Sequence, residues 1–476
     1  MGLAQAWGRS GGQHAPGDRS FAASLGLTVL GAIIPGSGFW FAGRRRLGAV
    51  VFVVALAGLV TALLLGLLNP RLYLHSILQP SRLVALIVAF VVVAITWMAI
   101  IMFSHLELRP RRMTTWQRII GVGVAIILCF AVATPFAVGA RYAYATRDFI
   151  THVFPKSPVS KTTPKNESDS NPWAGQRRVN ILLLGGDGGV LRQGVRTDSM
   201  IVASIDTTTG NTVLFSLPRN LQSAPFPPGS ALARLYPNGF NGAGDEGNWL
   251  LNAVYRMVPL LHPGILGATD NEGADALKMS ISQILGLHVD YYVLINLQGF
   301  VQMVNALGGI TVNINQIVPI GGNLDSGVPP TGWIQPGPNK HLDGWHALWF
   351  ARGRWNTDDY HRMQNQRCVI DAVIHQMSPT NVLLRYQQIA AAGTKIARTD
   401  IPQELLPALV DLGLKVKDAK LSSVVFQPNA HFNPVDPNFT YMRSVVQNAL
   451  HPSSSGGHRP KIIQRPQSAC AYHPVG

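Results

Sequence analysis

Three long apolar runs limit what this chain can fold into. "LGAVVFVVALAGLVTALLLGLL" covers 47 to 68, "LVALIVAFVVVAITWMAIIMF" covers 83 to 103, and "IIGVGVAIILCFAVATPFAVGA" covers 119 to 140. Each exceeds the ~18 apolar residues that cross a bilayer as a helix. In hydrocarbon the backbone must satisfy its own hydrogen bonds, which confines such runs to helices. An α-helical membrane region, 21 to 145, therefore precedes whatever globular part follows. Its first stretch, "FAASLGLTVLGAIIPGSGFWFAG" (21 to 43), is broken at Pro35-Gly36-Ser37-Gly38. The run before the break is short for a span and suits a re-entrant or interfacial segment. Several spans without a clear cleavage site argue against a cleaved signal peptide.

Arginine orients the spans. Arg9, Arg19 and Arg44-Arg45-Arg46 precede the first span, and Arg109, Arg111, Arg112 and Arg118 lie between the second and third. The loop between the first two spans has only Arg71 and Arg82. With three spans and a re-entrant start, the richer segments, including the 1 to 20 tail, are cytoplasmic, and the C-terminal part is extracytoplasmic. A fourth full span would put one basic segment on the wrong side. The formal net charge of +15 is then topology signal and affinity for anionic membrane lipid. It does not form the Lys/Arg stripe with interleaved aromatics of a nucleic-acid binder, so no nucleic acid is expected.

Residues 146 to 176 have the Pro, Ser, Thr, Asn and Lys of a linker. The globular domain is expected over 177 to 450, with a tail of little order from 451 to 476. Of three cysteines, Cys129 lies in an apolar span; Cys368 and Cys470 could pair outside the cell. Strands are expected at 179 to 185, 199 to 206, 212 to 218, 291 to 296, 309 to 314 and 423 to 427. Helices are expected at 273 to 286, 297 to 307, 362 to 377 and 402 to 415. Thr207 to Gly210 is a hairpin turn. The mixture predicts an α/β domain: a mixed central sheet flanked by helices on both faces.

Charge gathers at the ends of the apolar runs. Asp187 follows "NILLLGG", Arg196 and Asp198 open "RTDSMIVASID", and Arg219 ends "TVLFSLPR". Arg352 and Arg354 end "HALWFARGR", taken here as one more such run. Asp359, Arg362 and Gln366 share one face of a helix start. Sheet ends in α/β folds are where ligands bind. Arginine forks onto phosphate oxygens, and magnesium takes one or two carboxylates with phosphate oxygens and water. This set points to phosphoryl transfer by positioning and electrostatics. A general base, if there is one, is an Asp or a water, since Arg cannot serve. Taken alone, Arg196 and Asp198 are a strand-end ion pair and Asp187 is a turn residue. His341, His346, His361 and His375 are not expected to be ligands. Trp345, Trp349 and Trp355 are packing residues or a sugar-stacking surface.

Three blocks carry a family resemblance. "VNILLLGGDGGVLRQGVRTDSMIVASIDTTTGNTVLFSLPRN", "GADALKMSISQILGLHVDYYVLINLQGFVQMVNALGGITVNI" and "LDGWHALWFARGRWNTDDYHRMQNQR" resemble, in order, the blocks of the LytR-CpsA-Psr family of membrane-anchored cell-envelope phosphotransferases. The resemblance spans about 178 to 380. It implies transfer of a glycopolymer from a polyprenyl diphosphate carrier to a peptidoglycan acceptor, with a phosphodiester link formed and polyprenyl phosphate released. It implies that Asp187 and Asp198 hold magnesium. Arg196, Arg219, Arg352, Arg354 and Arg362 would contact the diphosphate, with Asp359 and Gln366 in support; Arg196, Asp198, Arg219, Asp359 and Arg362 would be catalytic. Asp359 is preferred to Asp358 on the Asp-x-x-Arg spacing. It further implies an apolar tunnel for the polyprenyl tail. The chain departs from the family in Asn220 after Pro218-Arg219, in Asn365 before Gln366, and in an insertion, 223 to 249, expected as a flap on the acceptor side. The same site could hydrolyse polyprenyl diphosphate, with water as acceptor. A non-catalytic lipid-binding or regulatory membrane protein would need the tunnel but no metal.

Overall fold

The computed structural model describes residues 20–68, 78–165, 171–187, 196–322, 327–355, 357–376, 385, 388–390, 397–451, 463–464 and 466–473. The chain forms two compact units, Met1–Arg147 and Asp148–Gly476.

In the first unit, α1 (Phe21–Ile33) and α2 (Ser37–Phe41) precede α3 (Arg45–Leu68), α4 (Pro80–Leu108) and α5 (Thr115–Val153). The last three are long and apolar enough to cross a membrane. The break between α1 and α2 falls at Pro35-Gly36, where the backbone leaves the right-handed helical region. Gly36 has φ 91°, and a Cβ there would lie 2.3 Å from the Gly48 carbonyl oxygen. Segment 21 to 43 is thus two short helices, not one long one. α5 runs on to Val153, into the region with linker composition. The chain beyond it is bound down. Val159 donates its N–H to Asp270 (2.9 Å), and the Ser160 hydroxyl donates to Asp275 (2.7 Å).

The second unit is built on β1 (Arg178–Asp187), β2 (Arg196–Asp206), β3 (Thr212–Leu217), β4 (Tyr291–Asn296), β5 (Ile310–Ile314), β6 (Val318–Ile320), β7 (Gly332–Ile334), β8 (Gly337–Leu342), β9 (Ala397–Thr399), β10 (Leu421–Val425) and β11 (Ile463–Gln464). Seven of them form one sheet in the order β11-β10-β3-β2-β1-β4-β9. β1 pairs with β2 antiparallel and with β4 parallel, so the sheet is mixed as expected. Its helices are α6 (Ala231–Leu235), α7 (Val254–Leu261), α8 (Glu272–Leu285), α9 (Leu297–Leu307), α10 (Gly344–Arg352), α11 (Asp359–Gln376), α12 (Leu406–Asp418), α13 (Phe439–Leu450) and α14 (Pro466–Ala469).

The near-continuous apolar strands are central and covered on both faces. On one face Leu182, Leu184, Val202 and Phe215 pack against α7, α8 and α13. Each such side chain contributes about 1.5–3 kcal/mol. On the other face lie α12, beside Val179 and Ile181, and the group α9, α10 and α11.

Three readings change. "HALWFAR" is the helix α10, started by Asp343, whose carboxylate accepts the His346 N–H at 2.9 Å. Segment 309 to 314 does form a strand, but β5 pairs with β8 outside the main sheet. The 223 to 249 insertion is core more than flap: Phe226, Leu232, Tyr236 and Phe240 are buried in the first face, with Trp249 packed on them. The tail also acquires a structure. Cys470 is disulfide-bonded to Cys368 of α11, and β11 adds to β10.

Candidate functional site

On the face carrying α9 to α11, the helices do not close on the sheet. A cavity of about 350 Å³ remains. Leu183, Ile201 and Val293 of the strands face Phe300, Leu348 and Val369 of the helices across it. Its polar lining comprises Asp198, Ser199, Arg219, Asn296, Arg352, Arg354, Arg362 and Gln366. An apolar interior thus ends in a strongly cationic mouth.

A β-bulge sets Asp198 there. Gly186 pairs with Thr197 and Gly185 with Ser199, which leaves Asp198 as the extra residue of β2. Bulges re-aim side chains at sites. Both Asp198 and Ser199 line the cavity. Gly185 fits closely here, since a Cβ would stand 3.0 Å from that of Ser199.

Asp198 Oδ1 accepts from Arg219 Nη1 (3.1 Å) and from Asn252 Nδ2 (3.2 Å). Its side chain is 30% exposed. Burial alone would raise its pKa. The Arg219 charge and hydrogen bond, with help from Arg362 and Asn252, outweigh burial and hold it below the usual carboxylate value. Arg362 Nη2 donates to the Asp198 carbonyl (3.1 Å) and to Asp359 Oδ2 (2.9 Å). Burial pulls Arg362 down to about 10, against the attraction of Asp359, so it remains a cation at neutral pH. Arg219 Nε and Arg354 Nη1 lie 3.4 and 3.6 Å from Asp359 Oδ1. Asp359 therefore binds three arginines from beneath and is not itself in the cavity lining.

The remaining residues hold the helices in place. Gln366 Nε2 donates to the Ala351 carbonyl (3.2 Å) and Asn365 Nδ2 to that of Phe350 (3.0 Å). These satisfy carbonyls at the end of α10 that have no partner within the helix. The guanidinium of Arg352 lies 5.1 Å over the Trp349 ring. Arg196 is not part of the cavity lining; its Nη2 donates to Asn248 (3.0 Å), at the end of the 223 to 249 insertion. Asp187 is opposite Arg196 in the β1–β2 register, but its side chain and 188–195 lie outside the described residues. The fold adds Asn252 and Ser199. Asn252 carried only one signal, a lone amide in the apolar "WLLNAVY".

The carboxylate of Asp198 is a hard oxygen donor kept ionised, with hydrogen bonds to Oδ1 alone among the described residues. It fits one position of a magnesium ion, which needs only one or two protein carboxylates.

The chain thus combines three helices long and apolar enough to cross a membrane with an α/β domain whose apolar cavity is lined by four arginines. Its sequence is specific enough to place it further. The model of the LytR_cpsA_psr family matches residues 151–447, and the chain belongs to this family. It is 27% identical over 326 residues to Biofilm regulatory protein A of Streptococcus mutans, covering 67% of this chain and 72% of that protein. It is 27% identical over 284 residues to the polyisoprenyl-teichoic acid–peptidoglycan teichoic acid transferase TagU of Enterococcus faecalis, covering 59% and 77%. The structure also aligns with that of B. subtilis TagV at 20% identity, with a TM-score of 0.42, over 57% of this chain and 96% of that one.

Proposed function

We propose that this protein is a cell-envelope phosphotransferase that moves a glycopolymer from a polyprenyl diphosphate carrier onto peptidoglycan. The observation that carries this reading is the joining of an apolar cavity to a mouth of Arg219, Arg352, Arg354 and Arg362. Such a site suits a ligand that is hydrocarbon at one end and diphosphate at the other. Relatives named as teichoic acid transferases to peptidoglycan support the acceptor and the polymer class.

In this reading the polyprenyl tail lies among Leu183, Phe300 and Val369. The arginines draw charge from the phosphate oxygens, where their forked donors match phosphate geometry. The acceptor hydroxyl oxygen bonds to the sugar-bearing phosphorus. The bond from that phosphorus to the bridging oxygen breaks, and polyprenyl phosphate leaves with the electron pair. The hydroxyl proton passes to water as the new bond forms. Asp198, with Asp187, would hold magnesium, which supplies positive charge to the diphosphate. Asp359 keeps three arginines in register.

The catalytic domain is placed outside the cytoplasm and the three long helices in the membrane as spans. The arginine distribution supports this, as does the Cys368–Cys470 disulfide, which suits an oxidising compartment. The test uses the detergent-solubilised chain with magnesium, a polyprenyl diphosphate saccharide and peptidoglycan. Released polyprenyl phosphate together with acceptor-linked sugar is expected. Free sugar phosphate as the sole product would make it a hydrolase, and no turnover at all would leave a binding protein.

A further inference from the structure

We infer that a second groove, on the far side of α11 from the cavity, binds an uncharged glycan strand and presents its hydroxyl to the arginine mouth. This rests on the transferase reading above and names where its acceptor sits.

Two hollows, of about 330 and 290 Å³, share Asn313, Cys368 and Cys470. They are two lengths of one groove that passes the disulfide. Along α11 it runs from His361 to Ala372. At 1.5 Å rise per residue this is about 16 Å, the size of an oligosaccharide more than of one sugar. α11 separates groove from cavity by its own periodicity. Arg362 and Val369 line the cavity, whereas Gln364 and Cys368 line the groove. At the other wall the two sites nearly meet. Gly353 and Thr357 line the groove, whereas Arg354, in the same loop, and Arg352, at the end of α10, line the cavity.

The lining identifies the ligand class. The groove has no Lys or Arg among its described lining residues; its one carboxylate is Asp371, and His361 and His473 line its larger length, in contrast to the four arginines of the mouth. An anionic polymer would find no counter-charge in it. The side chains of Gln316 and Gln364 make no hydrogen bond within the described residues, and an amide both donates and accepts, as hydroxyl and acetamido groups require. Ile317, 45% exposed, supplies apolar surface for a sugar face. The remaining wall is the C-terminal segment. Besides the disulfide, Asn313 Nδ2 donates to the Cys470 carbonyl (2.9 Å) and Asn315 Nδ2 to that of Ala471 (3.0 Å). Residues 469–473 thus complete a site that the main domain begins.

The test titrates chitotetraose, a neutral acetamido tetrasaccharide, into the full chain in detergent micelles, and compares Gln364→Ala. Wild type is expected to bind. The variant should bind about tenfold more weakly while holding polyprenyl phosphate as wild type does. In the transfer reaction its KM for the glycan acceptor should rise by a similar factor, with kcat unchanged. Should Gln364→Ala lose its fold, the exposed Gln316→Ala serves instead. Equal affinity in wild type and variant overturns the inference. So does failure of wild type to bind the tetrasaccharide, or preferential binding of a peptidoglycan stem peptide. Variant-sensitive tetrasaccharide binding without any transfer in wild type would leave the groove standing and remove the transferase reading.

Discussion

Asp198 illustrates how a single position acquires a role. In sequence it is a carboxylate two residues from an arginine, and Arg196 looks like its partner. In the fold its partners are Arg219 and Asn252, and Arg196 bonds instead to Asn248. The bulge at Gly185/Gly186 makes the difference, because one extra residue changes which side chains share a face. Asp198→Asn keeps the shape and removes the charge. Transfer is expected to fall by about 10²–10³-fold, as when one group aimed at developing charge is lost, measured as release of polyprenyl phosphate. The pH dependence has a definite sign. The folded carboxyl titrates below its ordinary value of 3.8, so its stabilising effect is complete above that value and is lost as pH falls through the folded pKa. Thermal melts of wild type and Asp198→Asn should therefore differ at pH 7 and converge as pH falls below 3.8 and through the folded pKa. Asp187, Asp198, Arg219, Arg352 and Arg354 were legible as candidates from their places at the ends of apolar runs, and Arg362 from its spacing with Asp359 and Gln366. Asn252 was not, because a lone amide in an apolar stretch gains meaning only from what it touches.

At the scale of elements, most of the main-sheet strands and helices α8, α9, α11 and α12 followed from apolar periodicity. α10 did not, because "HALWFAR" has no clear alternation and its start depends on Asp343 as a cap. The cavity was not legible either. Leu183, Ile201 and Val293 are the residue types of an ordinary core, and only the stand-off of α9 to α11 leaves space between them. Ile370→Trp should fill that space. Binding of polyprenyl phosphate, followed by calorimetry, is expected to weaken at least about tenfold, or ~1.4 kcal/mol, with circular dichroism unchanged. The strap after α5 gives a stability prediction. Lys278 is fully buried, paired with Asp400 and 3.2 Å from Asp275, and donates to Ser160. Lys278→Ala leaves buried carboxylates without their cation, which costs about 3–5 kcal/mol. Denaturant melts should show this loss; a change below about 1 kcal/mol would mean that the charges are relieved elsewhere.

For the whole molecule, the membrane reading leads to a direct experiment. A reporter fused after Ala145 should read as extracytoplasmic; a cytoplasmic signal would reverse the placement of the entire second unit. Sequence alone determined that the chain has three apolar stretches long enough to cross a membrane as helices, and that a mixed α/β domain of this family follows. Those properties depend on run length, periodicity and local charge, which are one-dimensional. The tertiary structure decided the rest: which oxygen of Asp198 is engaged, that Asp359 pairs with three arginines, that Phe226, Leu232, Tyr236 and Phe240 of the 223 to 249 insertion are core, and that Cys470 returns to α11 across a separation of 102 residues. Each is a contact between distant segments. A one-residue bulge or a few ångströms of helix stand-off sets such contacts, and neither leaves a pattern in neighbouring residues.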